Sequence, residues 1–184
     1  MKHLLEICVD SLESALAAQE GGADRLELCG NLLIGGTSPS PGLIRQVLRR
    51  VDIPVNVLLR PRFGDFCFTP SEQETTLWEI ENCRALGVGG VVLGALQPDG
   101  ALDAPFLARC LAASGGMRHT LHRAFDLCRD PFAALDQAAE LGFDTILTSG
   151  QQARAVEGAA LLGQLTRHAA GRIALLAGSG VGPD

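Results

Sequence analysis

The feature that most constrains this chain is a repeated alternation: a short β-rich apolar run followed by an amphipathic helical stretch, recurring at intervals of roughly 20 to 36 residues. Runs 4–9, 25–29, 54–59, 89–94, 118–122, 144–148 and 172–177 read as strands. Helical stretches fall at 12–20, from Pro41, from Ser71 to Gly87, from Asp103, from Asp130 to Gly142, and near 153–169. Strands that alternate with helices in this way pair in parallel, so the expected fold is α/β.

Local signals support the boundaries. Asp10 with Glu13 reads as a capping box for the first helix and Ser71 with Glu74 as one for the third; Pro41 and Pro131 suit first helical positions, and Asp130 suits a cap. Leu43, Ile44, Val47 and Leu48 fall at helical spacing, as do Leu77, Ile80 and Cys83, then Leu107, Cys110 and Leu111, and then Phe132, Leu135 and Ala139. Seven strands and six helices are all but three elements of a (β/α)8 TIM-type barrel, a fold of about 250 residues. The expectation is a single barrel domain over 1–184, truncated after strand seven. It would lack the last helix, strand eight and its helix, with Pro183-Asp184 reading as the start of a helix.

The first two strands carry the most specific pattern. Side chains alternate faces along a strand, so Glu6 and Cys8 share one side of the first, as Glu27 and Cys29 do of the second. A carboxylate and then a thiol, in the same order, end both strands, where α/β folds place their chemistry. Other polar groups gather at strand exits: GNLLIGGTSPS after the second, RPRFGDF after the third, LHRAFD across the end of the fifth, TSGQQ after the sixth and GSG after the seventh.

Composition excludes several classes. The formal net charge is −6 and Lys2 is the only lysine, which argues against a nucleic-acid or anionic-membrane partner. No apolar run nears the roughly 20 residues of a membrane span, and MKHLLEIC lacks the apolar core of a secretory signal. The expected location is therefore cytoplasmic. The six cysteines, Cys8, Cys29, Cys67, Cys83, Cys110 and Cys128, form no CxxC and read as free thiols.

Taken together, EICVDS, GADRLELC, RPRFGDFCF, LHRAFD and LTSGQ resemble the CutC family, named for a proposed role in copper homeostasis, from Leu4 to Val181. Leu121 stands where that family usually has Phe, and Phe63 where it usually has Gly. The resemblance implies a (β/α)8 barrel, a homodimer, and copper(I) thiols at Cys8 and Cys29.

Two readings of the site follow. Copper(I) is soft and prefers thiolate, often with two ligands; strands about 4.8 Å apart would let Cys8 and Cys29 hold one ion if paired at similar height. Cys67 is a candidate third thiol, while Cys83, Cys110 and Cys128 read as packing. Small buried hydrophobes are the alternative for Cys8 and Cys29 themselves. The second reading is a barrel enzyme, an isomerase or lyase, acting on a small anionic, phosphorylated or carboxylated metabolite. Glu6 or Glu27 would be the base, His122 an acid or base, and Arg60 and Arg62 an anion clamp. Arg123, Thr148, Ser149 and Gly178 would complete the binding of the anion, with Asp65 and Asp126 orienting the arginines. An ion network that only fixes the barrel top is the alternative for those groups. His119 reads as structural, and His3 and His168 as solvent-facing.

Overall fold

A computed structural model of the chain describes residues 4–182, so His3 and the Pro183-Asp184 helix start lie outside the described residues. Seven strands occur: β1 (Glu6–Val9), β2 (Arg25–Leu28), β3 (Val55–Leu58), β4 (Gly90–Leu93), β5 (Arg118–Leu121), β6 (Thr145–Thr148) and β7 (Ala174–Ala177). They alternate with α1 (Leu12–Glu20), α2 (Pro41–Leu48), α3 (Pro70–Leu86), α4 (Ala104–Ser114), α5 (Pro131–Leu141) and α6 (Ala159–Ala169). Within each unit the strands lie side by side in chain order. This is the α/β architecture of a TIM-type barrel through its seventh strand.

The chain packs as two compact units. The first holds residues up to Gly64, Pro70–Val92 and Ala112–Arg118; the second holds Asp65–Thr69, Leu93–Leu111 and the chain from His119 onward. In the first unit β1 to β4 are parallel, with Leu26 opposite Ile7 and Val55. The short strands read EICV, RLEL, VNVL and GVVL, and the last three are buried along their whole length. Burial on both faces is the mark of a parallel sheet covered by helices. Leu26, Leu28, Val55, Val57 and Val91 form the apolar face, and Ala15, Ile44, Val47, Ile80 and Cys83 are the buried helix residues. The opposite face carries Arg25, Glu27, Cys29 and Asn56. In the second unit β5, β6 and β7 pair in parallel, with Thr145 opposite both Thr120 and Ala174. Phe125, Leu107, Leu135, Ile146 and Leu165 are fully buried there.

Helix ends differ from the sequence expectation in three places. Ser11, not Asp10, caps α1: its hydroxyl accepts from the Ser14 amide at 3.0 Å, and Ser14 Oγ accepts from the Ser11 amide at 3.1 Å. A serine hydroxyl thus replaces the Glu of the usual box. Helix α3 starts at Pro70, so Ser71 and Glu74 lie inside its first turns; the fixed φ of proline suits the first helical position. Helix α6 starts at Ala159, six residues later than the pattern suggests. There the backbone of Gly158 is pressed so closely on Ser149 and Gly150 that a Cβ would lie 1.9 Å from the Ser149 carbonyl oxygen, and 153–158 turns irregularly to make that approach. On α5 the buried stripe is Ala134, Leu135 and Ala138, so of the expected residues only Leu135 is fully inside. Two 3-10 turns, Leu32–Ile34 and Arg123–Leu127, shape loops whose sequence gave no sign of them.

Gly90 is required by the interior. A Cβ there would lie 2.3 Å from Asn56 Oδ1 and 3.2 Å from the Arg118 carbonyl oxygen. We expect Gly90→Ala to destabilise the chain by about 1–3 kcal/mol through overpacking, read by urea denaturation.

Candidate functional site

In the first unit, parallel register arranges the polar face in rows. Glu6 stands opposite Arg25, whose Nε donates to the Glu6 carboxylate. The next row is Cys8, Glu27, Asn56 and Gly90, each opposite the next. Asn56 Nδ2 donates to Glu6 Oε2 at 3.3 Å, which ties the two rows together. Cys29 follows β2, and its amide donates to the Val9 carbonyl at 2.8 Å. That bond places Cys29 opposite Asp10, two positions beyond Cys8, so the two thiols do not sit at the same height. They share one face of the sheet, and the Cys8 thiol is near enough to act on Cys29 electrostatically. Cys8 is exposed, whereas Cys29 is buried in a cluster with Leu58 and Val92 that Leu32 covers.

Electrostatics here are set by burial. The Cys29 thiol lies 3.6 Å from Glu27 Oε1 and donates toward it. Interaction with the Cys8 thiol, burial and the Glu27 carboxylate all push Cys29 well above the ordinary thiol range. Burial, then the neighbouring Glu6 charge, raises Glu27 to about 7, and the Cys29 thiol and Arg25 only partly offset this. Glu27 Oε2 and Asn56 Oδ1 are buried acceptors with no donor from the described residues. Asn56 is thus a site residue that the sequence reading missed. The available signal was a lone amide inside the apolar run PVNVLL, on the face of its strand that continues to Leu58.

The two arginines of RPRFGDF reach neighbouring loops and helix α3. Arg60 Nη1 donates to the Gly35 and Gly36 carbonyls, each at 3.2 Å, and Nη2 to the Gly64 carbonyl at 2.7 Å. Arg62 Nε donates to Glu72 Oε1 at 2.6 Å. The Arg60 bonds stitch the loop after β2 to the loop after β3, and the Arg62–Glu72 pair ties that loop to α3.

In the second unit the His122 ring packs against Phe66 at a tilt of 48°, with ring centroids 4.8 Å apart, and its Nδ1 accepts from the Ala124 amide at 3.2 Å. A Cβ on Gly94 would lie 2.6 Å from that nitrogen, so glycine leaves room for the ring. Asp65 accepts from the Cys67 amide at 3.0 Å. Asp126 is the centre of the remaining residues. It accepts from Thr148 Oγ1 at 2.5 Å, Ser149 Oγ at 2.9 Å, the Ser149 amide at 3.1 Å, the Gln151 amide at 3.2 Å and Arg123 Nε at 2.7 Å. Arg123 Nη2 also reaches Ser149 Oγ at 2.9 Å, and the Gly178 amide donates to the Thr148 carbonyl at 3.1 Å. Burial alone would raise Asp126, but Thr148, Arg123, Ser149 and Gln151 outweigh it and hold its pKa below the ordinary value. The donors expected to hold an external anion here hold a side chain of the chain itself. A separate cleft of about 460 Å³ in this unit, lined by Arg129, Asp130, Asp136 and Glu140 among others, contains none of the expected site residues.

The family model for the CutC family matches residues 3–184. The chain belongs to the CutC family. A CutC family protein of Bacteroides thetaiotaomicron is 51% identical over 183 residues, covering 98% of this chain and 73% of the relative. One from Parabacteroides distasonis is 48% identical over 182 residues, covering 98% and 75%. The crystal structure of a candidate copper homeostasis protein CutC from Streptococcus agalactiae superposes with a TM-score of 0.92 at 32% identity, covering 98% of this chain and 89% of that one. Among the described residues of this CutC chain, no helix is long and apolar enough to cross a membrane.

Two predictions follow from the buried carboxylates. The unfolded state ionises Glu27 near 4.5, whereas the folded state keeps its proton to about 7. The folded state therefore binds more protons between those values, and stability falls as pH rises through that window. Urea denaturation at pH 5 and pH 8 should show this fall, on the order of 3 kcal/mol, and Glu27→Gln should abolish most of it. Asp126 behaves oppositely: its contribution is present above the unfolded value of 3.8 and is lost as pH falls through its lower folded value. Asp126→Ala should cost about 3 kcal/mol at neutral pH by stranding buried donors and should flatten the acid limb of the pH–stability curve.

Proposed function

We propose that this CutC chain handles copper(I), binding one ion between Cys8 and Cys29. The observation that carries this reading is the placement of an exposed thiol on β1 and a buried one just past β2 on the same face of the sheet, two ladder positions apart. Copper(I) is content with two soft sulfur ligands, and the apolar packing of Cys29 against Leu58 and Val92 suits a soft ion. Among the described residues no group of three or more His, Cys, Asp or Glu is placed to hold a metal, so the pair offers two ligands, too few for a structural zinc site. The solved relative from Streptococcus agalactiae is itself described as a candidate copper homeostasis protein. Reduced thiols and copper(I) belong together in a cytoplasmic setting, which is where we place the chain.

Turnover of a small anionic metabolite has weaker support. An anion clamp needs unspent donors, whereas Arg60 is engaged by three carbonyls, Arg62 by Glu72, and Arg123, Thr148 and Ser149 by Asp126.

An anaerobic copper(I) competition titration tests the proposal. The native chain should bind one equivalent that a Cys8→Ser, Cys29→Ser double variant does not, with circular dichroism showing both folded. Equal, weak binding by the two would overturn it. Metabolite screening with Arg60→Ala and His122→Ala would then be the next measurement.

A further inference from the structure

Cys8 lies on β1 and Cys29 directly after β2, and the two are not opposite one another. Cys8 faces Glu27, and the Cys29 amide bonds the Val9 carbonyl, so the thiols are offset by two positions along the ladder. With a rise of about 3.3 Å per residue and strands about 4.8 Å apart, the two α-carbons are separated by roughly 8 Å. Disulfides join α-carbons about 4.4–6.8 Å apart, and beyond ~7 Å they need the backbone to move. Movement is opposed here by the ladder: Cys29 is fixed to Val9 at 2.8 Å, and Leu26, Leu28 and Glu27 are all buried. A two-coordinate ion replaces one sulfur–sulfur bond of about 2.05 Å by two metal–sulfur bonds, ~4.6 Å in all at the length of a zinc–thiolate bond. The added length supplies the reach that the offset demands.

We infer that this offset is a selectivity device: the pair can clasp a soft ion but cannot close on itself as a disulfide, so oxidation stops at Cys8 and leaves Cys29 a free thiol. The metal half of the inference rests on the proposed copper site, and the disulfide half does not. The exposed Cys8 is the thiol that an external disulfide reaches first. In that exchange the Cys8 thiolate attacks one sulfur of oxidised glutathione, the glutathione disulfide bond breaks, and one glutathione leaves as thiolate. Internal closure would then require Cys29 to attack Cys8 Sγ and expel the second glutathione, the step that the register forbids.

The test is to treat the metal-free chain with oxidised glutathione and map the products by peptide mass spectrometry. The expected result is a mixed disulfide at Cys8 that persists for hours, with no Cys8–Cys29 linkage. Two comparison variants place thiols directly opposite: Glu27→Cys with Cys29→Ser, and Asp10→Cys with Cys8→Ser. At least one of them should close an internal disulfide under the same treatment. A Cys8–Cys29 linkage forming in the native chain as fast as in these variants would overturn the inference. So would a failure of both folded variants to close, because register would then not be the cause. Copper(I) titration of the same preparations keeps the two proposals apart: a chain that neither closes nor binds copper(I) refutes the copper reading and upholds the disulfide half. A chain that binds copper(I) when reduced yet closes readily when oxidised refutes the inference alone.

Discussion

Parallel register is the constraint on which the rest of the first unit depends. In a parallel ladder, facing residues share a side of the sheet, so each polar side chain on the inner face has its neighbours chosen by the pairing. Glu6 meets Arg25, and the charge of each is met within the pair. One row further, Glu27 meets Cys8 and Asn56, neither of which is cationic. The absence of Cβ at Gly90 gives Asn56 its room, and Asn56 in turn donates to Glu6. A one-residue slip would carry Glu6, Glu27, Asn56 and Arg25 to the helix-packed face and break all of these relations at once.

Charged residues in both units are used first to hold loops. In the first, Arg60 satisfies three carbonyls of glycines, groups with no side chains of their own to order them. In the second, Asp126 plays the part that a bound phosphate plays in many barrels: it gathers a threonine hydroxyl, a serine hydroxyl, two backbone amides and an arginine. An internal anion held this way organises the exit of β6 without a ligand. Its low pKa keeps the arrangement intact at any ordinary pH.

The order and type of the strands and main helices were legible in the sequence, whereas the cap of α1, the start of α3 and the 3-10 turns were not. The alternation of strand and helix gave the α/β fold and all seven strands, and the i, i+2 pattern put Glu6 with Cys8 and Glu27 with Cys29. What depends on pairing between distant segments was not legible. Nothing in EICVDS or GADRLELC states which residue of one strand faces which of the other, so the two-position offset of the thiols emerged only with the ladder. The partners of Arg60 lie up to 25 residues away along the chain, and those of Asp126 up to 25. An arginine or aspartate in a loop reads the same in sequence whether it waits for a ligand or fastens a neighbouring turn. The late start of α6 has the same origin: the close approach of Gly158 to Ser149 is a tertiary contact that overrides a helical pattern.

Glu27 is the residue that folding alone does not account for. A carboxyl buried beside the Glu6 charge, which Arg25 only partly offsets, with one oxygen lacking a donor and its pKa raised to about 7, lowers stability at neutral pH. An apolar residue of similar size would fill the same space without that cost. Natural sequences keep such a residue where it serves a site, because consistency between pattern and burial is relaxed there and almost nowhere else. Glu27 lies opposite Cys8 and 3.6 Å from the Cys29 thiol, so the destabilising group and the thiol pair are one structural unit. The chemistry of this face is therefore better sought at the thiols and their carboxyl neighbour than at Arg60, whose two terminal nitrogens already hold glycine carbonyls.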